Sequence, residues 1–313
     1  GVLGEGKVRT TYTEIEGEYP DGTTYTLRKP NFEFHSLNYG EFPEDLMISP
    51  RIAPHLVGLG LLEAIDEETI LKIAEKQANG QDGISGKPNY VWDRVHDKKA
   101  IGRFGWKANE PSVRQQVAGA FRGDIGITSQ LFPEEPCADA QGDCHDSPSG
   151  GEPELSQKVL DRVTLYSATI AVPKRRGWDK PQVLKGKSLF MEMGCSSCHR
   201  PNVTTGTEGE HPEFHNQSIH PYTDLLLHDM GEGLADNRPD AEANGREWRT
   251  PPLWGLGLLK NVNRHEFLLH DGRARGFEEA ILWHGGEAEA AKQRFMNLPK
   301  EKRTLVIKFL KSL

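Results

Sequence analysis

Residues 8–15 and 23–27 are rich in Thr, Tyr and Val, and Pro20-Asp21-Gly22 stands between the two runs. β-branched and aromatic stretches broken by a turn signal predict a β-hairpin. From residue 50 to 79 the apolar spacing becomes helical, through Leu61, Leu62, Ile65, Ile70, Leu71, Ile73 and Ala74, with Asp66 placed to cap a helix. A further short helix is expected over 113–121. Residues 130–154 are rich in Pro, Gly and Asp and read as a long surface loop, near which we set a domain boundary. Helical spacing resumes over 155–172 and 182–193, is weak from 201 to 252, and returns at 277–283 and 301–313. No internal repeat or low-complexity tract is present.

Composition narrows the function classes. Of 313 residues, 36% are hydrophobic and 27% charged, and the net charge is −8. An acidic, loop-rich globular chain is a poor match for nucleic acid, so none is expected as a partner. No run of eighteen apolar residues occurs, so no membrane span is expected. Gly1 to Lys7 do not resemble a signal peptide.

The four cysteines fall into two unlike pairs. Cys195-Ser196-Ser197-Cys198-His199 has the C-x-x-C-H form of c-type haem attachment. Two thiols three positions apart on a helical turn reach both vinyl groups, and the next residue offers an imidazole to iron. The rival readings are a redox dithiol and half a zinc site. A dithiol would want a βαβ setting, but 189–194 leads in as a helix and a Gly/Pro/Thr loop follows. A zinc site would want a second C-x-x-C or an H-x-x-x-H partner, and Cys137 with Cys144 has the wrong spacing. Haem c is the favoured reading. Since it is attached outside the reducing cytosol, it implies a periplasmic or extracytoplasmic location. There Cys137 and Cys144 are expected to form a disulfide closing a small loop.

Further motifs surround this one: Arg249-Thr250-Pro251-Pro252-Leu253-Trp254, His270-Asp271-Gly272-Arg273-Ala274 and Glu279-Ala280-Ile281-Leu282-Trp283-His284 after it, and Pro50-Arg51-Ile52-Ala53-Pro54, Gly102-Arg103-Phe104-Gly105-Trp106-Lys107-Ala108 and Asp224-Leu225-Leu226-Leu227-His228-Asp229-Met230-Gly231. Together they resemble the bacterial di-haem oxidoreductases of the peroxidase or "thiol oxidoreductase" kind, over essentially the whole chain. That family is related to the di-haem cytochrome c peroxidases and to the di-haem enzyme that matures the tryptophan-derived cofactor of methylamine dehydrogenase.

The resemblance implies a mainly α protein of cytochrome c-like haem domains with long loops and a small β-hairpin near the N-terminus. Residues 1–150 would be the remainder of the first, peroxidatic haem domain, with its distal side and the inter-haem region. Residues 151–313 would be the C-terminal domain with covalent haem. Relatives carry two C-x-x-C-H motifs and this sequence one, so the first haem is expected on a segment preceding Gly1. Electrons from a donor protein or small cytochrome would enter at the second haem and pass by way of Trp106 to peroxide or another small substrate at the first; the alternatives are a non-catalytic electron-transfer cytochrome and a di-haem oxygenase acting on an organic substrate.

By the same resemblance, Trp106 matches the inter-haem tryptophan and Gln116, ten residues on, a pocket glutamine. Asp124 is the nearest match to an acidic proton donor, two residues short of the usual spacing. The distal ligand of the second haem lies fourteen residues after the histidine of the H-D-G motif, which from His270 is His284; Met230 is the alternative. Arg249 and Arg273 would pair haem propionates, or else form surface salt bridges. Two departures stand out. The histidine that caps the first haem in peroxidases falls near Glu44, with His35 too far upstream. The asparagine of the inter-domain calcium site falls at Gly58, leaving only carbonyls at Thr250 and Pro252, so calcium is doubtful.

Overall fold

The computed structural model describes residues 3–209 and 211–313. The predicted turn at 20–22 joins β1 (Lys7–Glu18) to β2 (Thr24–His35), antiparallel in register from Lys7 opposite His35 to Glu18 opposite Thr24. β1 is exposed nearly throughout, while β2 rests on the C-terminal half. Arg28 stacks on Tyr12 and Phe267 and donates to the carbonyls of Arg273 (2.9 Å) and Gly272 (3.0 Å). The Tyr19 hydroxyl donates to Glu278 at 2.7 Å. The hairpin therefore braces the loop that carries the H-D-G motif.

Residues 50–58 are coil, and helix begins only with α1 (Leu59–Glu63) and α2 (Glu67–Ala78), the latter with Asp66 as its N-cap. The hairpin of β3 (Tyr90–Asp93) and β4 (Lys98–Ile101) follows, then α3 (Val113–Ile125), capped by the Ser112 hydroxyl accepting from Gln115 N. The expected surface loop holds one turn, α4 (Gly142–His145), with Cys137 and Cys144 joined by a disulfide. α5 (Gln157–Thr169) and α6 (Pro181–Glu192) come next. The weakly patterned region forms two small antiparallel ladders, β5 (Val203–Thr204) with β6 (Ser218–Ile219) and β7 (Leu227–Asp229) with β8 (Glu247–Arg249). Helices α7 (Leu259–Asn263), α8 (Phe277–Trp283), α9 (Glu289–Met296) and α10 (Lys300–Leu310) close the chain.

The expectation of a mainly α fold with one small hairpin is overturned: the chain is mixed α/β, 34% helix and 16% strand, with four two-stranded antiparallel sheets. The N-terminal hairpin has twelve-residue arms. The other ladders have arms of two to four residues, too short to show a period of two, and their pairing is set by contacts distant in sequence.

Two main apolar clusters hold the molecule. One gathers Phe190, Tyr222, Phe277, Phe295 and Phe309 with Tyr19 and Leu27 of the hairpin. The other gathers Leu62, Ile70 and Ile101 with Ile219, Leu226 and Trp254. Each draws on both sides of residue 150. Removing a ring as deeply buried as Phe295 or Phe309 costs about 3–5 kcal/mol, and Cys195 packs against the cluster that holds them.

Candidate functional site

Helix α6 delivers the cysteine motif. It ends at Glu192, and Gly194, at φ 84°, makes the left-handed turn that starts a 3-10 turn over Cys195–Ser197. His199 N then donates to Cys195 O at 2.9 Å, so both thiols and the imidazole sit on one continuous coil. The two thiols are not bonded to each other. Burial pushes the Cys195 thiol up to about 12. Burial also raises that of Cys198, against a lowering contact with His228, whose Nδ1 lies 3.6 Å from the sulfur.

His199 is packed near Phe190 and its Nδ1 lies 3.1 Å from the Tyr222 carbonyl. His284 terminates α8, with Nδ1 2.7 Å from the Ala280 carbonyl. A carbonyl only accepts, so each Nδ1 carries the hydrogen and each Nε2 keeps a free lone pair. Burial, aided by the neighbouring His284, holds His199 down to about 4, and burial likewise lowers His284, so both rings are neutral. Their centroids are 6.4 Å apart with planes inclined at 47°. Two metal–nitrogen bonds of about 2 Å plus two ring half-widths of about 1.1 Å span about 6 Å, the size of this gap. Met230 runs along the same wall, its carbonyl 3.0 Å from where a Cβ on Gly285 would stand.

The two arginines differ. Arg273 is committed to Asp271 (2.6 Å), both side chains nearly inaccessible, and its guanidinium stacks on Trp283. Arg249 is buried in β8, where Nε donates to the Gly105 carbonyl at 2.8 Å and Nη1 weakly to Thr250 O. No carboxylate lies within ion-pair distance of it among the described residues, and burial lowers it to about 10. A guanidinium so placed has spare capacity for an anion.

The residues expected on the peroxide side are partly brought together. Trp106 donates Nε1 to Ile52 O at 2.7 Å, and its own carbonyl accepts from Arg249 N at 2.9 Å, so it is backbone-linked to the arginine. Gln116 is half-buried on α3, whereas Asp124 is exposed at the end of that helix. A carboxylate the sequence reading missed is Glu110, on the bridge that pairs Phe104 with Glu110. Burial raises it to about 7, and its Oε2 is buried without a partner. His55 is comparable: burial and the Arg249 charge hold it down to about 4, with Nε2 unpartnered. Of the carbonyls considered for calcium, Thr250 O accepts the Thr223 hydroxyl at 2.5 Å, and Gly58 offers no side-chain oxygen.

Also unforeseen is a charged cluster behind Cys198. His228 Nε2 lies 2.9 Å from Asp224 Oδ2 and its Nδ1 2.8 Å from Glu287 Oε2, all of it buried or nearly so. Among the described residues, Cys198, Asp224 and His228 alone are spaced to hold a metal ion, with donor atoms within 4.8 Å of one another. Flanked by carboxylates on both nitrogens, however, the ring is a cation and donates rather than ligates. Asp224 and His228 stand four residues apart, a spacing that was readable, but Glu287 belongs to a distant turn.

Compared with known families, the chain matches the family model described as di-haem oxidoreductase, putative peroxidase, over residues 2–313. No curated protein and no solved structure matches it.

Proposed function

Because this chain belongs to the di-haem oxidoreductase (putative peroxidase) family, whose cofactor is haem, we propose that it carries one covalent haem c as an electron relay for a peroxide-reducing centre. The observation that carries the reading is the His199–His284 pair, two neutral imidazoles with both Nε2 atoms free and 6.4 Å between centroids.

The residues present fit the group. Cys195 and Cys198 would hold the vinyl positions, His199 and His284 the two axial positions, and Arg249 a propionate. Arg273, neutralised by Asp271, has a structural role in bracing Trp283 against the His284 turn. When bound, haem supplies one-electron oxidation and reduction. The Tyr222 and Ala280 carbonyls fix each ring's tautomer and orientation, so that neither imidazole must reorganise when charge changes. A haem held by both rings would have no position left open to peroxide and would supply electron transfer alone. It is a relay, and peroxide is met at the other haem, which the family membership calls for and this chain's single C-x-x-C-H does not hold.

Residues 1–150 would complete that first haem domain and 151–313 form the relay domain. Trp106 would lie between the two centres, held by Ile52 and Arg249, with Gln116 and Asp124 towards the peroxide side. A periplasmic location is supported by the Cys137–Cys144 disulfide, a bond that persists in oxidising compartments. The electron donor would be a protein or small cytochrome.

The test uses the exported holoprotein. Intact mass and a pyridine haemochrome should give one covalent haem on Cys195 and Cys198, low-spin when oxidised. Peroxide should then be consumed at a separate high-spin haem in the presence of a reduced donor. If all haem is low-spin and inert to peroxide, the protein is an electron-transfer cytochrome instead. Oxygen found in an organic product would identify an oxygenase.

A further inference from the structure

The cluster behind Cys198 is built with more care than a haem-attachment turn requires. His228 is 2% exposed and both its nitrogens face carboxylates, Asp224 on one side and Glu287 on the other. Each carboxylate is itself held. Asp224 accepts from Gln77 Nε2 (2.8 Å) and Leu226 N (3.0 Å), and Glu287 from Ser85 N (2.9 Å), Ser85 Oγ (3.2 Å) and Asp229 N (3.3 Å). Gln77 also donates to Ser197 O at 2.9 Å, inside the C-x-x-C turn, and accepts from Gly86 N at 3.0 Å. Gly86 is obligatory, because a Cβ there would stand 2.5 Å from His228 Cε1. The loop around residue 86 and the end of α2 are thus closed down onto the cluster.

Resting on the haem reading above, we infer that Asp224, His228 and Glu287 are positioning residues that fix the Cys198 sulfur and set the reduction potential of the haem it carries. The argument is one of charge and distance. His228 Nδ1 is 3.6 Å from Cys198 Sγ, the atom that would be bonded to the porphyrin edge. Two carboxylates and one doubly protonated ring give the cluster a net charge of about −1 in a water-poor interior, where charges act more strongly than in solvent. The oxidised iron centre carries one more positive charge than the reduced one, so a fixed negative neighbour favours the oxidised state and lowers the potential. Other charges nearby are Arg249, which faces Asp224, Arg246, which pairs with both Asp229 (3.1 Å) and Glu232 (3.3 Å), and Asp82, which accepts from the Ser197 hydroxyl at 3.3 Å. The cluster supplies the bias and the imidazolium limits it.

Spectroelectrochemical titration of the holoprotein separates this from a merely structural role. Asp224→Asn and Glu287→Gln each remove a negative charge and should raise the midpoint potential. His228→Gln removes the positive charge, leaves two carboxylates facing the porphyrin edge, and should lower it. A purely loosening effect would move all three variants the same way. Midpoints that do not move, or that move with a common sign, overturn the inference. Glu287→Gln, at the most accessible of the three positions, keeps the test open if the other variants fail to fold. Haem content is measured first on the unaltered protein. No covalent haem there overturns the relay reading and this inference together, whereas haem present with unmoved potentials overturns this inference alone.

Discussion

His199 and His284 reach the same space from different elements, one from the turn after α6 and the other from the end of α8, with ring centroids 6.4 Å apart. Each is oriented by a backbone carbonyl, which no side-chain substitution removes. A haem held by both rings would have no coordination site left for external ligands. Cyanide or azide added to the oxidised holoprotein should leave the relay haem's spectrum unchanged, while His284→Gly should open it to both. Rapid cyanide binding at this haem in the unaltered protein would contradict the closed pair.

Arg249 is buried among carbonyls with no carboxylate partner among the described residues. Asp224 acts on it only from beyond ion-pair distance, so burial of the guanidinium is incompletely offset, and an apolar side chain there should cost the fold little. Arg249→Met should therefore leave the haem-free Cys195→Ala/Cys198→Ala protein nearly as stable as before. The same change in the holoprotein should be destabilising, because a propionate then loses its partner. Equal losses in both thermal melts would show that the arginine serves the fold alone.

Two buried groups give stability opposite slopes with pH. His270, stacked on Trp248 at 3.8 Å, is pushed by burial from 6.5 down to about 4. Its contribution is full above pH 6.5 and is lost as pH falls towards 4. Glu110 is raised by burial from 4.5 to about 7, so its contribution is full below pH 4.5 and is lost as pH rises through 7. Glu110→Gln should therefore gain on the order of 2 kcal/mol over the unaltered protein above pH 7, and nothing below pH 4.5. Thermal melts across pH 4–8 read both slopes. A Glu110→Gln advantage confined to acid would reverse the assignment.

The Cys137–Cys144 bridge, with a sequence separation of 7, closes a small loop, for which chain entropy alone predicts a stabilisation of about 2.5 kcal/mol. Because α4 and its surroundings are mostly exposed, Cys137→Ser/Cys144→Ser should lower the melting temperature modestly and leave covalent haem intact. Loss of haem in that variant would tie the loop to the site.

The legible parts of the site were those written in local spacing. C-x-x-C-H places three groups on one turn, and the helix over 277–283 follows from its apolar spacing, whereas His284 at its end was reached only through the family resemblance, by counting from His270. What was not legible depends on side-chain pairing, near or distant, that spacing alone does not specify. Arg273 looks like a propionate ligand until Asp271, two residues earlier, is seen to claim it. Asp124 looks like a proton donor but lies exposed, while Glu110, on a bridge of the Trp106 loop, is the buried carboxylate. The Asp224–His228–Glu287 cluster joins the segment leading into β7 to a turn following α8, and Glu287 is the partner that no local spacing supplies. The short ladders at β5–β6 and β7–β8 were missed for the same reason: two or three residues carry no period, and the pairing energy comes from the neighbour.

The central claim is that His199 and His284 are the two axial ligands of a haem bonded to Cys195 and Cys198. Electron paramagnetic resonance of the oxidised His284→Ala holoprotein, with covalent haem verified by intact mass, tests it most directly. The account predicts that the low-spin bis-imidazole signal of this haem disappears and a high-spin signal takes its place. A low-spin signal identical to that of the unaltered protein would contradict it and move the distal position to Met230 or another side chain.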